Sequence, residues 1–279
     1  MDELIYDERG VEILRYVYDD RDADVFESPK PYFHPIRTLD GDLVSAFRPH
    51  DHRWHKGLAM TVSDLSGQNF WGGGTYVREK AGYVDLPNTG TIRHEGFERP
   101  GVQRLSWHTR DGEHWIDELR EFRVTDVEDD SWALEFATTL RNVRGAGLVF
   151  GSPTTNGRPM AGYSGLFWRG PRSFEHGDVL AETGEGPAMM GRTSRWLAYA
   201  GRHDGVDRSS TLLFQSPVPV TWFVRTTPFA AVNPSIAFTE IVNLPPGESM
   251  RLGYRVVVCS GAWDRSRLVA YVKEHACSA

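Results

Sequence analysis

The chain has 279 residues, 40% of them hydrophobic and 25% charged, with a formal net charge of −7. That is enough apolar material for a sizeable buried core in one large all-β domain. The acidic balance and the lack of any run of Lys or Arg exclude nucleic acid as a partner, because phosphate binding needs a basic footprint.

No apolar run reaches the roughly 18 to 20 residues of a membrane-spanning helix, so no membrane partner is expected. The first residues, Met1-Asp2-Glu3-Leu4, lack the basic and apolar regions of a signal peptide. The two cysteines, Cys259 and Cys277, fit a reducing cytoplasm rather than a disulfide framework. A cytoplasmic location is expected on both grounds.

Taken in chain order, short strands dominate the expectation. Candidates lie at 11–18, 43–47, 58–62, 91–98, 102–108 and 114–124, followed by 132–140, 196–200, 211–215, 236–241 and 250–258. The clearest is 132–140, where Trp132, Leu134, Phe136, Thr138 and Leu140 alternate with their neighbours at period two. The last strand follows the turn Leu244-Pro245-Pro246-Gly247-Glu248. Only the C-terminal segment reads as a helix, capped by Asp264, with Leu268, Val269, Tyr271 and Val272 expected on one face. No linker or repeat divides the chain. The expected fold is an all-β, large antiparallel β-sandwich spanning 1–279 as a single domain, with one C-terminal helix and long functional loops.

Arg48-Pro49-His50-Asp51-His52-Arg53-Trp54-His55-Lys56-Gly57 is the densest chemical cluster, with three of the ten histidines in six residues. Imidazole moves protons near neutral pH and binds metals. If the segment is extended, His50 and His52 share a face, and a turn at Arg53-Trp54 brings His55 to them. An acid/base pair with Asp51, or a divalent metal held by His50, His52 and His55, both fit. The spacing lacks the helical geometry of zinc-protease motifs.

Four further segments are candidates. In Asn69-Phe70-Trp71-Gly72-Gly73-Gly74, the glycines allow close backbone approach and Trp71 offers a stacking face. His94 and Glu95 lie in a strand, where a structural ion pair competes with a site role. The run 156–174 gathers Arg158, Arg169 and Arg172 with Tyr163, Phe167 and Trp168, suiting a grip on substrate oxygens and a stacking wall. Ser164 is no nucleophile elbow, since the Gly-x-Ser-x-Gly spacing is not met. Glu240 sits in an apolar stretch, where an inward carboxylate would have a raised pKa and an outward one would be ordinary surface charge.

These clusters, with Pro31-Tyr32-Phe33-His34-Pro35, Arg93-His94-Glu95-Gly96-Phe97 and Gly201-Arg202-His203-Asp204-Gly205, resemble a soluble bacterial family labelled "methane oxygenase PmoA". Methane oxidation itself is excluded, because the methane monooxygenase subunit is an integral membrane protein and this chain has no span. Members of the soluble family are often encoded beside sugar transporters and sugar oxidoreductases, which implies carbohydrate catabolism. The strand pattern is also similar to galactose-mutarotase-type supersandwiches, which use a histidine and a carboxylate in a sugar cleft. The resemblance implies a carbohydrate epimerase, isomerase or lyase. Its catalytic candidates are His52, His55, Asp51, His94 and Glu95. Trp71, Arg158, Tyr163, Trp168, Arg169 and Arg172 would contact substrate. A metal-dependent keto-glycoside lyase or hydrolase with one divalent ion, and a non-catalytic sugar-binding or sensing protein, are the alternatives. A homo-oligomer is left open.

Overall fold

The structure is a computed structural model describing residues 2–277. It is mostly antiparallel β with one C-terminal helix. The main path of the largest sheet runs Asp2–Glu8, Val11–Asp19, Tyr32–Ile36, Leu58–Val62, Ser164–Arg169, Ala231–Ser235, Ser209–Arg225, Ser249–Ser260, Ser131–Asn142, His114–Thr125, Val102–His108 and Thr91–Arg99. The sheet curls, so its two ends pack face to face as an all-β sandwich. Tyr16 from the second strand stacks on Phe33 at 4.4 Å and meets Phe122 from the other end at 4.5 Å between ring centroids. Arg120 donates to the Tyr16 hydroxyl at 3.0 Å across the same junction. The Arg120 guanidinium is itself paired with buried Glu118 at 2.7 Å, so the charge in the core is compensated.

Period-two alternation produces this core. Trp132, Leu134, Phe136 and Leu140 are buried in the main cluster, and Leu134 and Phe136 face Val256 and Tyr254 across the register. The next residue over, Ala133, faces outward with Leu213, Val257 and Cys259. Those small and aliphatic side chains form the bed of the helix Arg265–Glu274, which buries Leu268 and Tyr271 there. Asp264 caps it, accepting from the Arg267 backbone N–H at 2.8 Å. Val269 was expected on that face but is exposed, because it lies about 100° around the helix from Leu268. Among the described residues, no helix is long and apolar enough to cross a membrane.

Two expected strands do not form. Residues 43–47 make only the isolated bridges Arg37↔Leu43 and Phe47↔Lys56. Residues 236–240 are bends, because the backbone N–H groups of Ile236 and Ala237 turn aside to the carbonyl and hydroxyl of Ser164. Glu240 is exposed on this bend, as ordinary surface charge. Conversely, 164–169, which was not among the expected strands, is a central strand between Leu58–Val62 and Ala231–Ser235.

That central strand positions the site. Leu166 and Trp168 point into the main core, whereas Phe167, on the opposite face, belongs to a separate aromatic cluster with Trp71, Phe223, Phe229 and Phe238. Trp222 and Val224 likewise enter the core while Phe223 faces the aromatic cluster. One side of the sheet centre holds the sandwich together, and the other floors a cavity.

Candidate functional site

The cavity encloses about 390 Å³. Its floor is the aromatic face just described, with Trp71, Tyr163, Phe167, Phe223 and Phe229, and Arg225 also lines it. Its outer wall comes from the hairpin Thr75–Val77/Gly82–Val84, which supplies Tyr76 and Tyr83, and from the following long-range loop with Asn156 and Arg158. His52, Trp54 and His55 complete the lining.

The histidine segment is not extended. His52 N–H donates to the Pro49 carbonyl and His55 N–H to the His52 carbonyl, both at 2.9 Å, giving two successive tight turns. These turns place His52 and His55 on the same side, their rings stacked 4.7 Å apart with a 24° interplanar angle. His50 is turned away, and its Nδ1 meets Arg172 Nη2 at 2.9 Å. The expectation that His50 and His52 share a face therefore fails, because it assumed a strand. Among the described residues, no group of three or more His, Cys, Asp or Glu side chains is arranged to hold a metal. The proposed His50, His52 and His55 ligand set does not fit a divalent ion in this arrangement.

The hydrogen bonds fix both tautomers. Asp51 Oδ2 lies 2.9 Å from His52 Nδ1. A carboxylate only accepts, so Nδ1 carries the proton and Nε2 keeps its lone pair. Arg169 Nη1 lies 3.3 Å from His55 Nδ1. A guanidinium only donates, so His55 Nδ1 accepts and its Nε2 carries the proton. No protein group among the described residues partners either Nε2. One ring thus offers a base and its neighbour a donor. Burial lowers the His52 pKa from its ordinary 6.5, with Asp51 opposing. Burial, helped by His52 and Arg169, lowers that of His55 well below 6.5. Both are neutral at physiological pH.

Behind them, Arg169 is 1% exposed and lies 3.8 Å from the Phe229 ring centroid. Burial pulls its pKa down to about 10, which leaves it cationic. It orients His55 from outside the cavity. Arg172 donates to Asp51 at 3.0 Å and so braces the His52 carboxylate partner without lining the cavity.

A second layer went unread in the sequence. Glu27, buried on the turn Val25–Glu27, pairs with Arg48 at 2.6 Å, Arg53 at 3.0 Å and Lys56 at 3.3 Å. One carboxylate therefore clamps three residues of the histidine segment. Lys30, also buried, donates to the carbonyls of Glu27, Ser28 and Trp71 at 2.7–3.0 Å. The glycines after Trp71 serve this assembly. A Cβ on Gly73, at φ +69°, would lie 2.6 Å from two ring atoms of Trp54. Gly72 and Gly73 closely approach Trp54 within the chain, and Gly74 approaches Tyr83 and Val84.

Other expected site residues lie elsewhere. His94 bonds Gln103 at 2.7 Å and packs against Tyr18 and Phe97 on the Thr91–Arg99 strand. Glu95 accepts from Ser106 and borders a different groove, with Arg104, His108 and His114. Neither joins His52 and His55. Trp168 is core: its Nε1 donates to the Val44 carbonyl at 2.9 Å, and its ring meets Tyr199 and Phe214. Trp71, Arg158 and Tyr163 do line the cavity. Arg225, Phe223 and Phe229 were missed, though alternation of Trp222 and Val224 with Phe223 and Arg225 carries the signal.

The Family of unknown function (DUF6807) matches residues 6–273. The chain belongs to this family. No curated protein and no solved structure matches the DUF6807 chain. The match spans both ends of the curled sheet and every segment of the cavity wall, so fold and site fall within one DUF6807 unit.

Proposed function

We propose that this protein is a cytoplasmic carbohydrate-processing enzyme that runs histidine acid/base chemistry on a sugar or keto-sugar, as an epimerase, isomerase or lyase. The observation that carries the reading is the paired His52 and His55, one a free base and the other a free donor, lining an aromatic cavity. His52 Nε2 takes the proton from a carbon next to a carbonyl. His55 Nε2–H donates to the oxygen on which negative charge develops. Asp51 holds the His52 tautomer and stabilises the imidazolium formed, and Arg169 holds that of His55. Trp71 and Tyr163 stack on the sugar face. Delivery of a proton from water to the opposite face epimerises the centre, return of the abstracted proton to a neighbouring carbon isomerises, and loss of a β-oxygen substituent eliminates. The resemblance to PmoA-labelled proteins and mutarotases supports a sugar as substrate.

The test is to incubate the protein with aldoses, ketoses and 3-keto-glycosides in D2O and follow the carbon-bound protons by NMR. Enzyme-dependent deuterium uptake next to the carbonyl, lost in His52→Gln, is expected. Saturable sugar binding with no exchange or product for any of them would replace the enzyme with a sugar-binding protein, which the aromatic walls alone would serve.

A further inference from the structure

Arg158 and Arg225 both line the cavity, one on the outer loop and one at the end of Ser209–Arg225. Neither forms an ion pair with a carboxylate among the described residues; their partners are aromatic rings and phenols. Arg158 Nη1 donates to the Tyr163 hydroxyl at 3.1 Å and also to Tyr83, and Arg225 Nη2 reaches the same Tyr163 oxygen at 3.5 Å. The Arg225 guanidinium has a buried Nε with no partner. A guanidinium held beside apolar rings loses hydration that only an anion or strong acceptor restores. Two such groups converge on one hydroxyl in a protein whose net charge is −7.

Asp64 is the only carboxylate lining this cavity among the described residues, and both its oxygens are engaged, by the Gly67 N–H and by Asn156. Two guanidiniums and one carboxylate leave the lining with a single surplus positive charge. That balance suits a monoanion, whereas a dianion would leave the filled site with a net negative charge. The flat fork of arginine also matches the two oxygens of a carboxylate. Tyr163 packs on Trp71 at 5.1 Å, and Trp71 meets His55 at 5.9 Å. Trp71 therefore links the Tyr163 hydroxyl that holds the guanidiniums to the imidazole pair, and Arg225 is near enough to help lower the His52 pKa, so cations and imidazoles share one cavity.

We infer that Arg158, Arg225 and Tyr163 form a carboxylate-recognising subsite, and that the substrate is a sugar acid, a uronate or aldonate-type monoanion, rather than a neutral sugar. The inference rests on the acid/base reading for the sugar but not for the anion, because binding alone tests the subsite.

Calorimetric titration of the full chain with D-glucuronate and D-galacturonate, against D-glucose and D-galactose, gives the first comparison. The acids are expected to bind about tenfold or more tightly than the neutral sugars, a preference that shrinks as NaCl is raised. Arg158→Gln and Arg225→Gln should each erase most of that preference, lowering the affinity for the acids far more than that for the neutral sugars. Arg225→Lys, which keeps the charge and loses the fork, should retain part of it and covers the case in which Arg225→Gln fails to fold. Equal affinity for acids and neutral sugars, binding of neither, or an acid preference that survives both Gln variants overturns the subsite. Tighter binding of glucose 6-phosphate or inorganic phosphate than of glucuronate overturns the choice of carboxylate. Acid-selective binding with no deuterium exchange upholds the subsite and removes the acid/base reading instead.

Discussion

His52 and His55 stack at 4.7 Å with opposite hydrogen-bonding character, the first held by Asp51 as an acceptor toward the cavity and the second held by Arg169 as a donor. Two like rings three residues apart acquire different roles because one is backed by an acceptor and the other by a cation.

Replacing the acceptor tests this division. Asp51→Asn removes the charge that opposes desolvation of His52, so the His52 pKa should fall further below 6.5. Exchange or turnover should drop by about tenfold or more as the tautomer loses its anchor. NMR titration of the His52 ring reads the first effect independently of activity; an unchanged pKa would mean that Asp51 serves Arg172 alone.

Acid pH should weaken the fold through the same pair. Folded His52 and His55 have pKa values below the ordinary 6.5, so the unfolded chain binds more protons than the folded one below that pH. Stability is therefore full above about pH 6.5 and falls as the pH is lowered. His34, pushed down to about 4 by burial, adds to the loss. Denaturant unfolding between about pH 7 and pH 5, above the carboxylate range, should show a shallower decline in His55→Gln than in the wild type. Equal slopes would exclude His55 as a source.

The Glu27 clamp should matter more than any surface ion pair. Glu27→Gln leaves Lys56, whose side chain is 1% exposed, with Asp20 alone, and frees Arg48 and Arg53. A loss of about 3 kcal/mol in unfolding free energy is expected, as for a broken buried pair. The exposed Arg15–Glu3 pair is a fair comparison, and its removal should cost under about 1 kcal/mol.

Gly73→Ala should destabilise by about 1–3 kcal/mol, combining left-handed strain with the collision against Trp54. Gly67→Ala separates the two terms: φ there is +86° but no atom lies within 4 Å of the added carbon. A difference in melting temperature between the two variants measures the Trp54 contact; equal losses would reduce it to backbone strain.

Much of this was readable beforehand, where a side chain's role follows from local periodicity. The strand at 132–140 and the Asp264 cap depend on neighbours in sequence, and so does the crowding of histidines in 48–57. What local pattern could not supply is which distant segment lies opposite. Trp168 looked like a stacking platform until strand pairing put it on the core face, one residue from Phe167 on the cavity face. His94 and Glu95 looked like partners for His52, yet they lie on the last strand of the sheet's far end. Glu27 carries no local signal at all, since its meaning comes from three cations 21 to 29 positions later that only the folded turn brings to it.

The cavity has two walls of unequal mechanical standing. Its floor is the back of a strand, Ser164–Arg169, whose other face is packed into the sandwich. A change at Phe167 or Arg169 is thus felt by Leu166 and Trp168. The facing wall is a two-stranded hairpin and a loop that carry Tyr83 and Arg158, the loop anchored at its ends by buried Ser152 and Ala161 while Arg158 itself is only half-buried. Diversification of ligand choice among descendants of this scaffold is therefore expected to run through the hairpin and loop, while the histidine turns and their floor drift slowly, tied to the survival of the fold itself.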